Sequence, residues 1–470
     1  MAKGKGKSMA KKQKNTNVFS IPTTEAEGAP CEPQFTGRYL VLLTEGAEST
    51  GKKTVAKAAG LKSIASSEDF TSEEFGPEDI SGADGLVLSQ ISVMVVEGDP
   101  DRMAAVADLP QDTGGVQTTE PEQICYATQL DSDSGFAATP DYVRGYRDGV
   151  NQLADALLAG EAAAEELISA AWVETHYTWG FQATRVYVSS FSGKGIRVAV
   201  LDTGMDLKHP DFAGRAIASR SFITGQSVQD GHGHGTHCIG TACGPRKPPL
   251  PPPYPLPVPR YGVAHEADIC VGKVLSNQGS GGDAGILTGI NWAVRKKCQV
   301  VSMSLGAPVP VGAPPSFIYE MVSRRALKLG TLIIAAAGND SNRNRPGHRP
   351  PPFYIKPVSR PANCPSIMAV ASLDEDLGVS FFSNGGINPN GGEVNIAAPG
   401  RNVFSSWPMS TRYRKISGTS MATPHVAGIA ALYCQKSNAK GKALWNMLLN
   451  TARHLPLPPR DVGAGLVQAP

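Results

Sequence analysis

Hydrophobic residues first gather into short runs near residue 39, and their spacing predicts a small mixed unit. Residues 39–43 read as a strand, 54–59 as a helix, and 86–96 alternate in the manner of one strand. Asp99-Pro100-Asp101 supplies a cap and a first-turn proline for a helix through Ala107. Residues 116–126, containing Glu120-Pro121-Glu122, read as extended. Strands and helices alternating over about ninety residues predict a compact α+β unit. Thr139-Pro140 then opens an amphipathic helix through Val143, Tyr146, Val150, Leu153, Leu157 and Leu158, which must dock on something.

Beyond Trp179 the pattern changes. Residues 196–201, 269–274, 300–304, 331–336 and 367–371 are apolar without strict alternation, which suits strands of a parallel sheet covered on both faces. Helical stretches fall between them at 284–295 and 316–328. Two proline-rich segments break the rhythm, 245–259 with nine prolines in fifteen residues and 343–361 with Arg343, Arg345, Arg349 and Arg360. Neither can be a helix or a central strand, so both read as surface loops.

Composition changes this picture little. The 470 residues are 41% hydrophobic and 18% charged, which fits one large globular domain plus something smaller. Net charge is +2, but six lysines lie in the first fourteen residues; without them 38 basic residues face 42 acidic ones. A near-neutral body with a basic tail argues against a nucleic-acid groove as the main function. The opening charges are not followed by a signal-like apolar stretch, so a cytoplasmic protein is expected, with export by a non-standard route as the alternative. No apolar run is long enough for a membrane span. Eight scattered cysteines without paired spacing are expected to be mostly free, buried thiols.

Candidate chemistry sits in four segments. Asp202-Thr203-Gly204 ends the 196–201 strand, at the edge where parallel sheets gather ligands and catalysts. Alone it is unspecific, since it also occurs in aspartic proteases and ordinary turns. Residues 231–238, Gly-His-Gly-His-Gly-Thr-His-Cys, bring three histidines together; zinc is the first alternative there, but no Cys or acidic residue stands at a zinc-motif spacing. Residues 417–428, Ser-Gly-Thr-Ser-Met-Ala-Thr-Pro-His-Val-Ala-Gly, place Ser420 at a helix start among small residues that allow close backbone approach. Residues 335–339, Ala-Ala-Ala-Gly-Asn, end an apolar strand in the amide of Asn339.

Together, in the order Asp, His, Asn, Ser, these segments resemble the subtilisin-like serine proteases (subtilases, peptidase family S8), and the motifs around His234 and Ser420 are particularly similar to the proteinase K branch. The resemblance implies an α/β, three-layer subtilisin-like fold with a central, mostly parallel sheet, preceded by a small α+β ferredoxin-like propeptide domain. The expected division is a basic tail 1–37, a propeptide or inhibitor-like unit 38–127, a linker 128–175 and a peptidase 176–470. Asp202, His234 and Ser420 are the implied triad and Asn339 the implied oxyanion donor, with His234 selected over His232 and His237 by its place in the family motif. Ser304, Leu305, Gly306 and Gly281 are the implied edges for an extended protein substrate; Ala336, Ala337 and Gly338 are the implied wall of the first specificity pocket. The stretch from Arg343 follows Asn339 directly and is expected to narrow or charge the cleft.

The implied activity is a serine endopeptidase made as a zymogen, self-inhibited by its own propeptide. A peptide macrocyclase or ligase on the same fold and a non-catalytic scaffold are the alternatives. No cofactor is required. Asp211 matches a family calcium ligand, yet residues 245–259 replace a family calcium loop without offering carboxylates, so calcium stays unassigned. Cys238, four residues after His234, is expected to be a buried thiol.

Overall fold

The computed structural model describes residues 32–68, 82–131, 172–249 and 258–470. The helix expected over 139–158 and the centre of the first proline-rich loop lie outside them. The N-terminal unit runs β1 (Phe35–Leu43), α1 (Glu48–Ala59), β2 (Ile64–Ser66), β3 (Gly85–Leu88), β4 (Val93–Val96), α2 (Pro100–Ala107) and β5 (Val116–Ala127). Its sheet has the order β5-β1-β4-β3-β2, with β1 antiparallel to both neighbours and only β2 joined in parallel. With a helix after β1 and another after β4, this is a ferredoxin-like α+β arrangement. Asp99 caps α2 by accepting the Arg102 N–H at 3.0 Å, as its sequence signal predicts.

The stretch 86–96 is a hairpin of two strands. Residues 89–92 turn between them, with Ser92 at φ +51°. The turn, Ser-Gln-Ile-Ser, carries no Gly, Pro, Asn or Asp, and Ile91 within it is fully buried, so no turn signal separates the two strands. Alternation in β1 is hidden for a related reason: both faces are covered. Val41 and Leu43 pack with Val55 and Met103 of the unit's own helices, whereas Leu40 and Leu42 join the core of the larger body.

After Ala127 a short β6 (Leu130–Asp131) follows. The larger body contains β7 (Arg197–Asp202), β8 (Ile217–Ser221), β9 (Asp268–Lys273), β10 (Ser280–Gly282), β11 (Val300–Met303), β12 (Leu305–Gly306), β13 (Leu332–Ala336), β14 (Met368–Leu373), β15 (Ile396–Pro399), β16 (Val403–Ser406) and β17 (Tyr413–Ser417). Seven of these form a parallel sheet of order β15-β14-β13-β11-β7-β9-β8. Alternate sheet residues enter two cores. Ala199, Leu201, Val301 and Ile333 face one side, and Val198, Val200, Val300 and Ile334 face the other. Helices cover both faces, α3 (Trp179–Ala183), α4 (His234–Cys243), α5 (Asp283–Arg295), α6 (Phe317–Lys328), α7 (Thr419–Ser437) and α8 (Gly441–Thr451). The result is the expected three-layer α/β body. Among the described residues, no helix is long and apolar enough to cross a membrane.

Candidate active site

Strand β7 ends in Asp202, and α4 begins with His234. The two side chains meet across the sheet edge, His234 Nδ1 donating to Asp202 Oδ1 at 2.7 Å; both are buried. Burial disfavours the imidazolium, but the adjacent carboxylate and its hydrogen bond outweigh that and raise the His234 pKa well above the ordinary histidine value. The other two histidines go elsewhere. His237 donates from Nε2 to the Val403 carbonyl at 2.9 Å, and burial lowers its pKa to about 3. His232 remains outside the dyad, its ring 6.2 Å from that of His234. The histidines therefore do not converge on a metal. Cys238 is buried beneath the dyad, Sγ 3.9 Å from His234 Nδ1 and donating to the Ser420 carbonyl at 3.6 Å. Burial keeps its thiol protonated, consistent with a packed cysteine.

Two groups that the motifs did not single out hold this corner together. Asp230 accepts from the N–H groups of His232 (2.9 Å) and Gly233 (2.8 Å) and from the Thr203 hydroxyl (2.9 Å) through Oδ1. Its Oδ2 accepts from the N–H and hydroxyl of Thr236 at 2.9 and 2.7 Å. One carboxylate thus caps the helix carrying His234 and ties it to the turn carrying Asp202. Buried Lys273 donates to the Thr203 carbonyl and to Asn277 Oδ1. Neither carries a local signal: Asp230 stands three residues before the N-cap Gly233, outside the position where a capping residue is sought, and Lys273 ends a buried strand.

Ser420 lies in the first turn of α7. Its Oγ donates to the Ser304 carbonyl at 3.0 Å and lies 2.5 Å from Thr128 Oγ1. His234 Nε2, although buried, has no hydrogen-bond partner among the described residues. The serine hydroxyl is therefore engaged by Thr128 and Ser304, and the bond to the imidazole is not made. Asn339 is held in one orientation, its Oδ1 accepting from the N–H and hydroxyl of Thr419, both at 2.9 Å. That leaves Nδ2 to donate to the Thr128 carbonyl at 2.8 Å. Gly418 is required here, since a Cβ on it would come within 2.6 Å of the same carbonyl.

The chain itself thus occupies the cleft. Tyr126 pairs with Ser280 and Gly306, Cys125 with Gly281, and Ala127 with Leu305, so β5 is sandwiched between β10 and β12. On the far side β6 pairs with Ile416 and Ser417 of β17. Leu305, Gly306 and Gly281, implied as edges for an extended substrate, pair with β5 of the chain itself. Ser304, implied with them, is outside those paired strands and donates its hydroxyl to the Ser420 carbonyl at 2.8 Å. Ala336, Ala337 and Gly338 are buried on the approach to Asn339. The Ala337 N–H goes to Val370 and the Gly338 N–H to Thr419 Oγ1, so these groups are committed to the core.

Three further sequence features find their partners in the fold. The arginines after Asn339 staple loops to the body: Arg343 pairs with Asp461 at 2.8 Å and Arg345 with Asp376 at 2.7 Å. Arg343 and Arg345 are thus spent on loop contacts, and Arg349 is exposed. Arg360 reaches Asp283 at 2.9 Å. Asp211 does not fit a calcium ligand, because its carboxylate already accepts from Arg412 (3.2 Å), Tyr261 (2.5 Å) and Tyr413 (2.8 Å). A guanidinium supplies the counter-charge there, and the surrounding groups are donors where a cation needs oxygen acceptors. The Glu120-Pro121-Glu122 signal also acquires a contact. Glu120 accepts from the Ile318 N–H at 3.0 Å and Glu122 from the Ala284 N–H at 2.8 Å, so each carboxylate caps the N-terminus of a helix in the larger body, α6 and α5 respectively, where its charge is favoured.

The Subtilase family model (Peptidase_S8) matches residues 193–465. Subtilisin Savinase of Lederbergia lenta is 37% identical over 296 residues, covering 62% of this chain and 96% of its own. M-protease of Shouchella clausii (strain KSM-K16) is 37% identical over 296 residues, 62% of this chain and 68% of its own. Thermitase of Thermoactinomyces vulgaris is 35% identical over 248 residues, 53% of this chain and 77% of its own. A family match spanning more than half of the chain, on a body whose sheet edge brings Asp202, His234, Asn339 and Ser420 together, makes this protein a member of the subtilase family and a serine-type endopeptidase.

Proposed function

We propose that the chain is a precursor that cuts its own Thr128–Gln129 bond, with residues up to Thr128 then acting as an inhibitor of the peptidase that remains. One observation carries this reading: the Thr128 carbonyl accepts from Asn339 Nδ2 at 2.8 Å while its hydroxyl lies 2.5 Å from Ser420 Oγ. A carbonyl bonded to an amide donor, beside a serine, with strand pairing on both sides of the following bond, is a peptide presented for acyl transfer.

Serine is a weak nucleophile at its own pKa, so the step requires Ser420 to turn from Ser304 and Thr128 towards His234 Nε2. The neutral imidazole then takes the hydroxyl proton as Oγ bonds to the Thr128 carbonyl carbon. Asp202 holds the Nδ1–H tautomer and stabilises the imidazolium. Charge develops on the Thr128 oxygen, where Asn339 Nδ2 and the Ser420 N–H stabilise it. The imidazolium protonates the Gln129 nitrogen as the peptide bond breaks, and water hydrolyses the ester by the same sequence in reverse. Protein substrates would follow the same path as added strands between β10 and β12.

The test is intact-mass analysis and N-terminal sequencing of the purified full-length chain beside Ser420→Ala, with casein hydrolysis in parallel. Two fragments whose summed mass exceeds the precursor by one water, a new N-terminus at Gln129, casein hydrolysis by the wild type and an uncut, inactive Ser420→Ala protein are expected. Processing of Ser420→Ala at the wild-type rate would sink the reading; products lacking the added water would favour a transpeptidation.

A further inference from the structure

Cys125 is the fourth residue upstream of the Thr128–Gln129 bond, counting Thr128 as the first. Its backbone pairs with Gly281 of β10, and its side chain is completely buried. The surroundings are polar. Cys125 Sγ lies 3.7 Å from Asp283 Oδ1, in donating geometry. That same oxygen accepts from the Tyr319 hydroxyl at 3.0 Å. The other oxygen accepts from Arg360 Nη1 at 2.9 Å and from the Gln123 N–H at 2.9 Å. The Arg360 guanidinium lies 5.3 Å from the Tyr319 ring centroid. Asp283 and Tyr319 are fully buried and Arg360 nearly so.

We propose that this subsite selects substrates with a small hydrogen-bond-donating side chain, serine or cysteine, at the fourth position upstream of the cleaved bond; the proposal rests on the endopeptidase reading and on the register of residues 125–128. Four physical effects point the same way. A small donor completes the set of hydrogen bonds on Asp283 Oδ1, a buried carboxylate for which each donor counts. Burial, reinforced by the Asp283 charge, raises the pKa values of both the Cys125 thiol and the Tyr319 phenol, so both stay protonated and able to donate. A leucine or phenylalanine would have to displace Tyr319 or the Asp283–Arg360 pair, and overpacking a filled site is costly. A glutamate would place a second carboxylate beside Asp283.

The test uses the processed wild-type enzyme and fluorogenic peptides Ile-X-Tyr-Ala-Thr-Gln-Leu-Asp, copied from residues 124–131, with X as Ser, Cys, Ala, Leu, Phe or Glu. Values of kcat/KM for Ser and Cys are expected to exceed those for Leu, Phe and Glu by at least about tenfold, and that for Ala by about threefold. Leu or Phe cleaved as well as Ser overturns the proposal while leaving the endopeptidase reading intact. Casein cut but no peptide cut overturns the register and the proposal with it; loss of casein hydrolysis as well sinks the endopeptidase reading itself. Tyr319→Ala supplies a second measurement: by opening the wall it is expected to raise the Leu-to-Ser ratio of kcat/KM about tenfold. A folded variant with an unchanged ratio removes Tyr319 from the subsite.

Discussion

Replacing Thr128 by valine should make the precursor cut itself faster. In the folded chain the Thr128 hydroxyl lies 2.5 Å from Ser420 Oγ, Ser420 donates to Ser304, and His234 Nε2 has no partner among the described residues. Reaching the attacking geometry therefore means giving up the Thr128 contact. Valine has nearly the same shape but cannot make that contact, so it raises the ground state without touching the bonds formed in the transition state. A hydrogen bond of this kind contributes about 1 kcal/mol net, which corresponds to roughly fivefold in rate. The assay is a time course of self-cleavage by intact mass after refolding the chain at low pH and jumping to mildly alkaline buffer, comparing wild type, Thr128→Val and Thr128→Ser. The valine variant should process roughly fivefold faster and the serine variant near the wild-type rate. A valine variant that cuts the same bond at an equal or lower rate would refute the idea that the hydroxyl restrains the nucleophile.

Other consequences can be checked on the same material. Self-cleavage should rise with pH to a midpoint above about 6.5, the ordinary histidine value, because the Asp202-paired His234 must lose its proton to act as base and the adjacent carboxylate raises its pKa; a pH-rate profile with a midpoint at or below it counts against the pairing. The same raised pKa means that the imidazolium–carboxylate pair stabilises the fold fully below the ordinary histidine pKa, a contribution lost as pH climbs through the folded value. Asn339→Ala removes the amide from the Thr128 carbonyl; the loss known for the matching subtilisin amide, about a hundred- to a thousandfold in kcat, sets the expectation for casein hydrolysis. Glu122→Ala deletes a buried carboxylate that caps α5 and pairs with Arg38. Charge-assisted bonds of about 1.5–3 kcal/mol imply that the excised N-terminal unit inhibits roughly ten- to a hundredfold more weakly, measured as an inhibition constant against the processed enzyme.

The sequence by itself determined whatever a short stretch of backbone encodes. Asp202 at the end of a buried strand, His234 opening a glycine-flanked helix and Ser420 in a first turn each sit in a local motif, because close approach at a sheet edge needs particular residues at fixed short spacings. Five of the seven parallel strands were readable for the same reason, since burial on both faces leaves continuous apolar runs; β8, which is only half-buried, and the four-residue β15 were not. Burial also hid the turn at residues 89–92, where Ile91 is buried and no turn signal marks the change of direction. Tertiary structure alone decided which distant residues meet. Sheet register carries Thr128 to Ser420 across 292 positions and Arg360 to Asp283 across 77. Loop packing likewise hands the Asp211 carboxylate to Arg412, two hundred and one positions away, instead of to a cation. No local pattern records such pairings, because their free energy arises only once two separately folded surfaces exclude water from between them.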